Sequence, residues 1–205
     1  MQGDYAVDAE DVLDLLGEGA HLVGHSYGGV VALLTATRRP PAIRSLTLIE
    51  PAAHRLAADH PVVATALQRM REGLASAPTT VSAETWLRFS TEAVGLPPLA
   101  PTPARLRAAQ TASRERPCWE ADIPLGPVAA APWPKLVVTG TWEAAPLAYR
   151  TLAGEASMAC AAVLAQRIGG RLLRVPGATH WPQDERPDVV NAALRTLWQS
   201  VVEHN

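Results

Sequence analysis

Gly24-His25-Ser26-Tyr27-Gly28, extended by Gly29, is the feature that most restricts this chain. It stands between two apolar segments of different length. His21 to Gly24 is short, bounded and strand-like, and Tyr27 to Thr37 is long enough for a helix and ends before Arg-Arg-Pro-Pro. A strand running straight into a helix through five residues must turn very tightly. A residue at the apex then takes a strained conformation, and glycines two places before and two after give the two arms room. The pentapeptide alone is a weak signal. Its position between strand and helix is what gives it weight. An ordinary helix N-capped by a serine is the alternative reading.

At such a turn the Ser26 hydroxyl stands exposed at the N-terminus of a helix, where the dipole favours developing negative charge. The Tyr27 backbone N–H is placed to donate to an oxyanion. A serine hydroxyl is a poor nucleophile unless a base takes its proton. That base is expected beyond the last strand, at the same edge of the sheet. Gly177-Ala178-Thr179-His180 closely follows the strand-like Arg171 to Val175, which makes His180 the candidate. His25 lies inside the turn and is read as lining the core beside the site. His21 begins a strand, His54 and His60 fall in a central segment, and His204 is in a terminal tail.

The remaining elements read as follows. Residues 8–16 form a short helix capped by Asp8 and stopped by Gly17. Ser45 to Ile49 and Lys135 to Thr139 are two further buried strands. A long alanine-rich helix covers 146–168, and Pro187 opens a final helix through Trp198. Short apolar strands alternating with helices predict an α/β fold with a parallel sheet covered on both faces. Residues 52–134 differ, mixing helical pieces at 61–75, 82–93 and 103–115 with proline clusters. They read as an insertion after the second strand. The expected division is a core of 1–51 and 135–205 with a helical lid of 52–134.

Taken together, HLV before GHSYGG, then LTLIEP, KLVVTGTWE and GATHWPQDERP, resemble successive landmarks of the α/β-hydrolase superfamily. The resemblance spans nearly the whole chain and is strongest at 20–51 and 135–191. It implies a partial α/β-hydrolase fold, with strands equivalent to five to eight and a helical cap after the sixth. It also implies the order nucleophile, acid, histidine. Two glutamates fit the acid. Glu143 lies three residues after Gly140, where the superfamily usually places its carboxylate, and is favoured. Glu50 ends the neighbouring strand, a position used by a minority of members. Either could orient His180 and stabilise its imidazolium. Asp184 and Asp188 read as loop and helix-start residues.

A serine nucleophile implies ester, thioester, lactone or amide hydrolysis without a metal or organic cofactor, through an acyl-enzyme. The insertion would cover Ser26, and few charges cluster there, so a small, largely apolar substrate is expected. Trp142 and Trp181 adjoin the proposed catalytic loops and, with His25, are the substrate-binding candidates. Trp86, Phe89, Trp119 and Trp133 could also line the pocket, although each reads more readily as core.

The resemblance exposes a gap as well. Members normally carry four more strands before the helix near Asp8, and a loop among them donates the second oxyanion N–H. Residues 1–20 hold nothing to supply it. Without its partner, the strand ending at Gly24 becomes an apolar edge. Three accounts fit: a fragment or misplaced start, a second copy or another chain completing the sheet, or a minimal relative. A non-catalytic binding protein with an incomplete oxyanion hole is the alternative function.

Bulk properties agree with this reading. The chain has 205 residues, 48% of them apolar, with a net charge of −2 and no basic stripe, so nucleic acid is not an expected partner. The acidic start is neither a secretory nor a transit peptide, and no apolar run is long enough to span a bilayer. Cys118 and Cys160 are isolated, read as free thiols and point to a cytoplasmic location.

Overall fold

The computed structural model describes residues 4–76, 81–92 and 97–202. His204 therefore lies outside the described residues. Four strands, β1 (Ala20–His25), β2 (Ile43–Ile49), β3 (Lys135–Gly140) and β4 (Arg171–Val175), form one sheet in the order β1-β2-β3-β4. Every neighbouring pair is parallel.

Helices connect and cover these strands. In chain order they are α1 (Tyr5–Leu15), α2 (Tyr27–Arg38), α3 (Pro61–Ser76), α4 (Ala83–Glu92), α5 (Pro103–Ala112) and α6 (Gly126–Ala130). They continue with α7 (Leu147–Tyr149), α8 (Glu155–Ile168), α9 (Pro182–Glu185) and α10 (Pro187–Val202). On one face of the sheet Leu46, Leu48 and Val137 pack with Val30 and Leu33 of α2 and Leu164 and Ile168 of α8. On the other, Ile49, Leu136, Val138 and Val175 pack with Val190, Leu194 and Leu197 of α10. Because both faces are covered, the strands read as near-continuous apolar runs rather than alternating ones.

The strands follow the sequence expectation closely, but several helices do not. α1 begins at Tyr5 because Asp4 caps it, its carboxylate accepting from the Ala6 N–H at 2.8 Å. Asp8 is not the cap. It sits inside the helix and accepts from the Tyr27 hydroxyl at 2.6 Å. The earlier start brings Tyr5 against the core and places its ring 4.7 Å from the Arg116 guanidinium. The expected single helix over 146–168 is broken: α7 passes into a π-turn, Arg150–Gly154, before α8. Gly169, at φ 65°, ends α8 in the left-handed conformation that a glycine adopts without strain.

Between β2 and β3 the helices fall near their expected places, with α6 added inside a proline cluster. Trp133 is buried and donates its indole N–H to the Pro40 carbonyl, Trp119 packs against the core, and Phe89 is exposed. β1 pairs with β2 alone among the described residues, and Val23 on it is 40% exposed, so the strand ending at Gly24 is a sheet edge. No helix among the described residues is long and apolar enough to cross a membrane.

Leu33 is fully buried where α2 meets the sheet. Truncating it leaves a cavity between two rigid layers, so Leu33→Ala is expected to cost about 2–5 kcal/mol. Urea unfolding checks this: the midpoint should fall with the slope unchanged.

Candidate active site

Each strand delivers one part of the site at its C-terminal end. Only three non-glycine residues among those described have positive φ: Ser26 at 53°, Glu50 at 44° and Trp142 at 58°. They follow β1, β2 and β3 respectively. Non-glycine residues rarely adopt this region, and such strain gathers at functional sites.

Ser26 stands at the apex of the turn from β1 into α2. Its N–H donates to the Ile49 carbonyl at 2.9 Å, and its own carbonyl accepts from Gly29 at 3.0 Å and Ala52 at 3.1 Å. Gly24 is needed for a steric reason, since a Cβ there would lie 2.2 Å from the Gly28 carbonyl oxygen. Gly28 differs from expectation: a Cβ on it meets nothing nearby, and the crowded downstream position is Gly29, packed on Pro51. The Tyr27 N–H lies in the first turn of α2, where backbone donors lack an intrahelical acceptor. The Tyr27 side chain points away, toward α1, and its hydroxyl is held from ionising by burial and by its bond to Asp8.

His180 arrives on the loop after β4. That loop presses against the end of β3 so closely that a Cβ on Gly140 would lie 2.2 Å from the Ala178 carbonyl oxygen. The Trp142 N–H donates to that same carbonyl at 2.9 Å. Glu185 braces the loop from α9 by accepting from the Thr179 N–H and hydroxyl. His180 Nε2 then lies 3.0 Å from Ser26 Oγ. His25 Nε2 is 2.7 Å from the His180 carbonyl oxygen, so His25 supports the loop from beneath the turn.

The two glutamates part company. Glu50 is buried, and its Oε2 lies 3.8 Å from His180 Nδ1. That distance is an electrostatic contact, longer than a hydrogen bond. Such contacts often tighten only in a substrate or transition-state complex. Glu143 is exposed, and among the described residues no hydrogen bond or ion pair joins it to His180. The expected preference for Glu143 thus runs against the geometry. One residue earlier, the strained backbone at Trp142 turns the chain outward, and Glu143 follows it toward solvent.

The aromatic candidates also separate. Trp181 is half-buried with its ring edge-on to His180 at 5.0 Å. Trp142 is 1% exposed and sits behind Glu50, its indole N–H 3.2 Å from Oε1. Thr139 and Glu185 were not singled out from the sequence. A hydroxyl one residue before the end of a strand that neighbours the acid is the signal that could have found Thr139. A cavity of about 490 Å³ lined by Arg55, Leu56, Asp122, Ile123 and Arg167 contains none of these residues. No group of three or more histidines, cysteines or carboxylates that could hold a metal gathers among the described residues.

An open parallel sheet whose strand ends converge on a serine and a histidine defines a class of α/β proteins, and comparison places the chain within it. The chain belongs to the alpha/beta hydrolase family, whose model matches residues 2–193. Solved structures share the fold. A carboxylesterase of the thaumarchaeon Nitrososphaera gargenis is 15% identical, with a TM-score of 0.60 over 99% of this chain and 74% of its own. The protein Rv0554 of Mycobacterium tuberculosis is 16% identical, with a TM-score of 0.57 over 98% and 74%. The 2-hydroxy-6-oxo-6-phenylhexa-2,4-dienoate hydrolase of a Rhodococcus species is 19% identical, with a TM-score of 0.54 over 95% and 70%. No curated protein matches the chain.

Burial governs the histidines around the site. It lowers the pKa of both His25 and His54 from their ordinary 6.5, and for His25 it outweighs the opposing hydrogen bond to the His180 carbonyl. His54, four residues beyond Glu50, has a buried Nδ1 with no partner. Both imidazoles are therefore folded as neutral rings. Above pH 6.5 they are neutral folded and unfolded alike and titration costs nothing. As pH falls from 6.5 through the folded values, the unfolded chain binds more protons and stability is lost. Urea unfolding between pH 8 and pH 5 should show stability declining below about 6.5. His54→Gln should flatten that decline.

Proposed function

We propose that the chain hydrolyses a carboxylic ester, or a related acyl bond, of a small and largely apolar substrate, with Ser26, His180 and Glu50 as its triad. The observation that carries this reading is the 3.0 Å contact from His180 Nε2 to Ser26 Oγ, with a buried carboxylate behind the same imidazole. The carboxylesterase likeness is a likeness of fold and adds only that the frame suits such chemistry.

His180 takes the Ser26 proton, and Oγ attacks the substrate carbonyl carbon. The Tyr27 N–H and the N-terminus of α2 stabilise the oxyanion of the tetrahedral intermediate. Glu50 stabilises the imidazolium without accepting its proton. His180 then protonates the leaving group, giving an acyl-Ser26 enzyme. It next deprotonates a water that attacks the acyl carbon, and finally returns the proton to Ser26 as the acid leaves. Trp181, beside the imidazole, is the aromatic wall assigned to the substrate.

A second reading is ligand binding without turnover. It rests on the Tyr27 N–H being the one oxyanion donor assigned among the described residues, since loss of one donor costs about 10²–10³ in kcat. It predicts saturable binding that survives Ser26→Ala with no ester cleavage.

Turnover of short p-nitrophenyl esters separates these readings and assigns the acid. Ser26→Ala should fall to background. Glu50→Gln should lower kcat by about 10³- to 10⁴-fold. Glu143→Gln should stay within about twofold of the unmodified enzyme, as for an exposed substitution. Large loss in Glu143→Gln with none in Glu50→Gln would reverse the assignment.

A further inference from the structure

The carboxylate of Glu50 is bonded unevenly. Oε1 accepts from the Thr139 hydroxyl at 2.7 Å, the Gly140 N–H at 2.7 Å and the Trp142 indole N–H at 3.2 Å. Oε2 is buried and has no hydrogen-bond partner, and it is the oxygen that faces His180 Nδ1. Three donors on one oxygen fix the rotation of the carboxylate and keep the other oxygen for the imidazole. Two of the three come directly from β3, the strand beside Glu50.

The third comes from a side chain held in place by three separate concessions. Trp142 has φ 58°, a conformation costly for a bulky residue. Its ring occupies the space of a side chain on the following helix, since a Cβ on Gly154 would lie 2.7 Å from indole Cδ2 and Cε3. Gly154 is the last residue of the Arg150–Gly154 π-turn, an irregularity frequent at functional sites. Tyr149 adds an edge-on ring at 5.1 Å, which fixes the plane of the indole. An apolar side chain would fill this space without any N–H. The three concessions converge instead on one hydrogen bond to one carboxylate oxygen.

Resting on the hydrolase reading above, we infer that Trp142 is a positioning residue for Glu50: its indole N–H holds the carboxylate so that Oε2 meets His180 as the imidazolium forms. It acts through Glu50, its ring also lies 6.2 Å from that of His180, and at 1% exposure it offers no surface to a substrate, so substrate affinity is not its concern. This differs from the expectation that Trp142 lines the substrate pocket, which places the indole in contact with the acyl group.

A double-mutant cycle on p-nitrophenyl ester hydrolysis tests the assignment. Trp142→Phe keeps the aromatic bulk and removes the donor. It should lower kcat about 10-fold, as for loss of a hydrogen bond to a charged group, with KM within about twofold of the unmodified enzyme. In the Glu50→Gln background the same change should alter kcat by less than about twofold, because no carboxylate remains to orient. A full 10-fold loss in that background, or a loss confined to KM, overturns the inference while leaving the hydrolase reading intact. Absence of ester turnover in the unmodified protein ends both. If Trp142→Phe does not fold, ¹⁵N-indole spectra of the unmodified protein and Glu50→Gln decide. One indole N–H should shift and exchange faster in Glu50→Gln, and a set of unmoved indole signals overturns the assignment.

Discussion

The contact between Ser26 Oγ and His180 Nε2 joins side chains 154 residues apart, and the rest of the architecture serves to hold it at 3.0 Å. Neither residue can be placed by its own element alone. Ser26 depends on β1 ending where α2 begins, and His180 on the loop after β4 lying across the end of β3. A parallel sheet solves this because all of its strands end on the same side, and four consecutive loops meet there. The glycines mark where the solution is tight: Gly24 lets the turn close, and Gly140 lets the histidine loop approach the sheet.

The strain at the three strand ends fits the same logic. Each positive-φ residue costs of order 1–3 kcal/mol and persists only where its surroundings over-determine it. Here the surroundings are the ladder itself. The N–H groups of Ser26, Glu50 and Trp142 each bond a carbonyl of the neighbouring strand or its following loop. The backbone is thus locked to the sheet where each side chain is thrown toward the site. Apolar cover on both faces supplies the stability that this strain draws on.

Much of this was legible in the sequence because it is written in local patterns. Largely apolar runs of four or five residues marked the four strands. A serine between glycines at a strand-to-helix junction marked the turn, and a histidine shortly after the last strand marked its partner. The choice between Glu50 and Glu143 was not legible, because both follow strands and differ only in the direction the backbone throws them. That direction is set by φ at Glu50 and Trp142 and by donors from β3, which are contacts between strands distant in sequence. For the same reason Trp142 reads as a substrate contact and folds as a buried donor. The break in the 146–168 helix belongs with it, since an alanine-rich segment gives no local hint that an indole from an earlier loop must fit against Gly154. The α1 start shows the limit of cap reading: the sequence points to Asp8, whereas Asp4 caps the helix and Tyr5 packs against the core.

The central claim is that Ser26 is made nucleophilic by its place at this junction, and it meets its most direct test in covalent labelling. The folded protein, treated with a fluorophosphonate and digested, should carry the phosphonyl group on the peptide containing Ser26, one per chain, by mass spectrometry. A folded protein that stays unlabelled, or that carries the group on some other side chain while Ser26 remains free, contradicts the account.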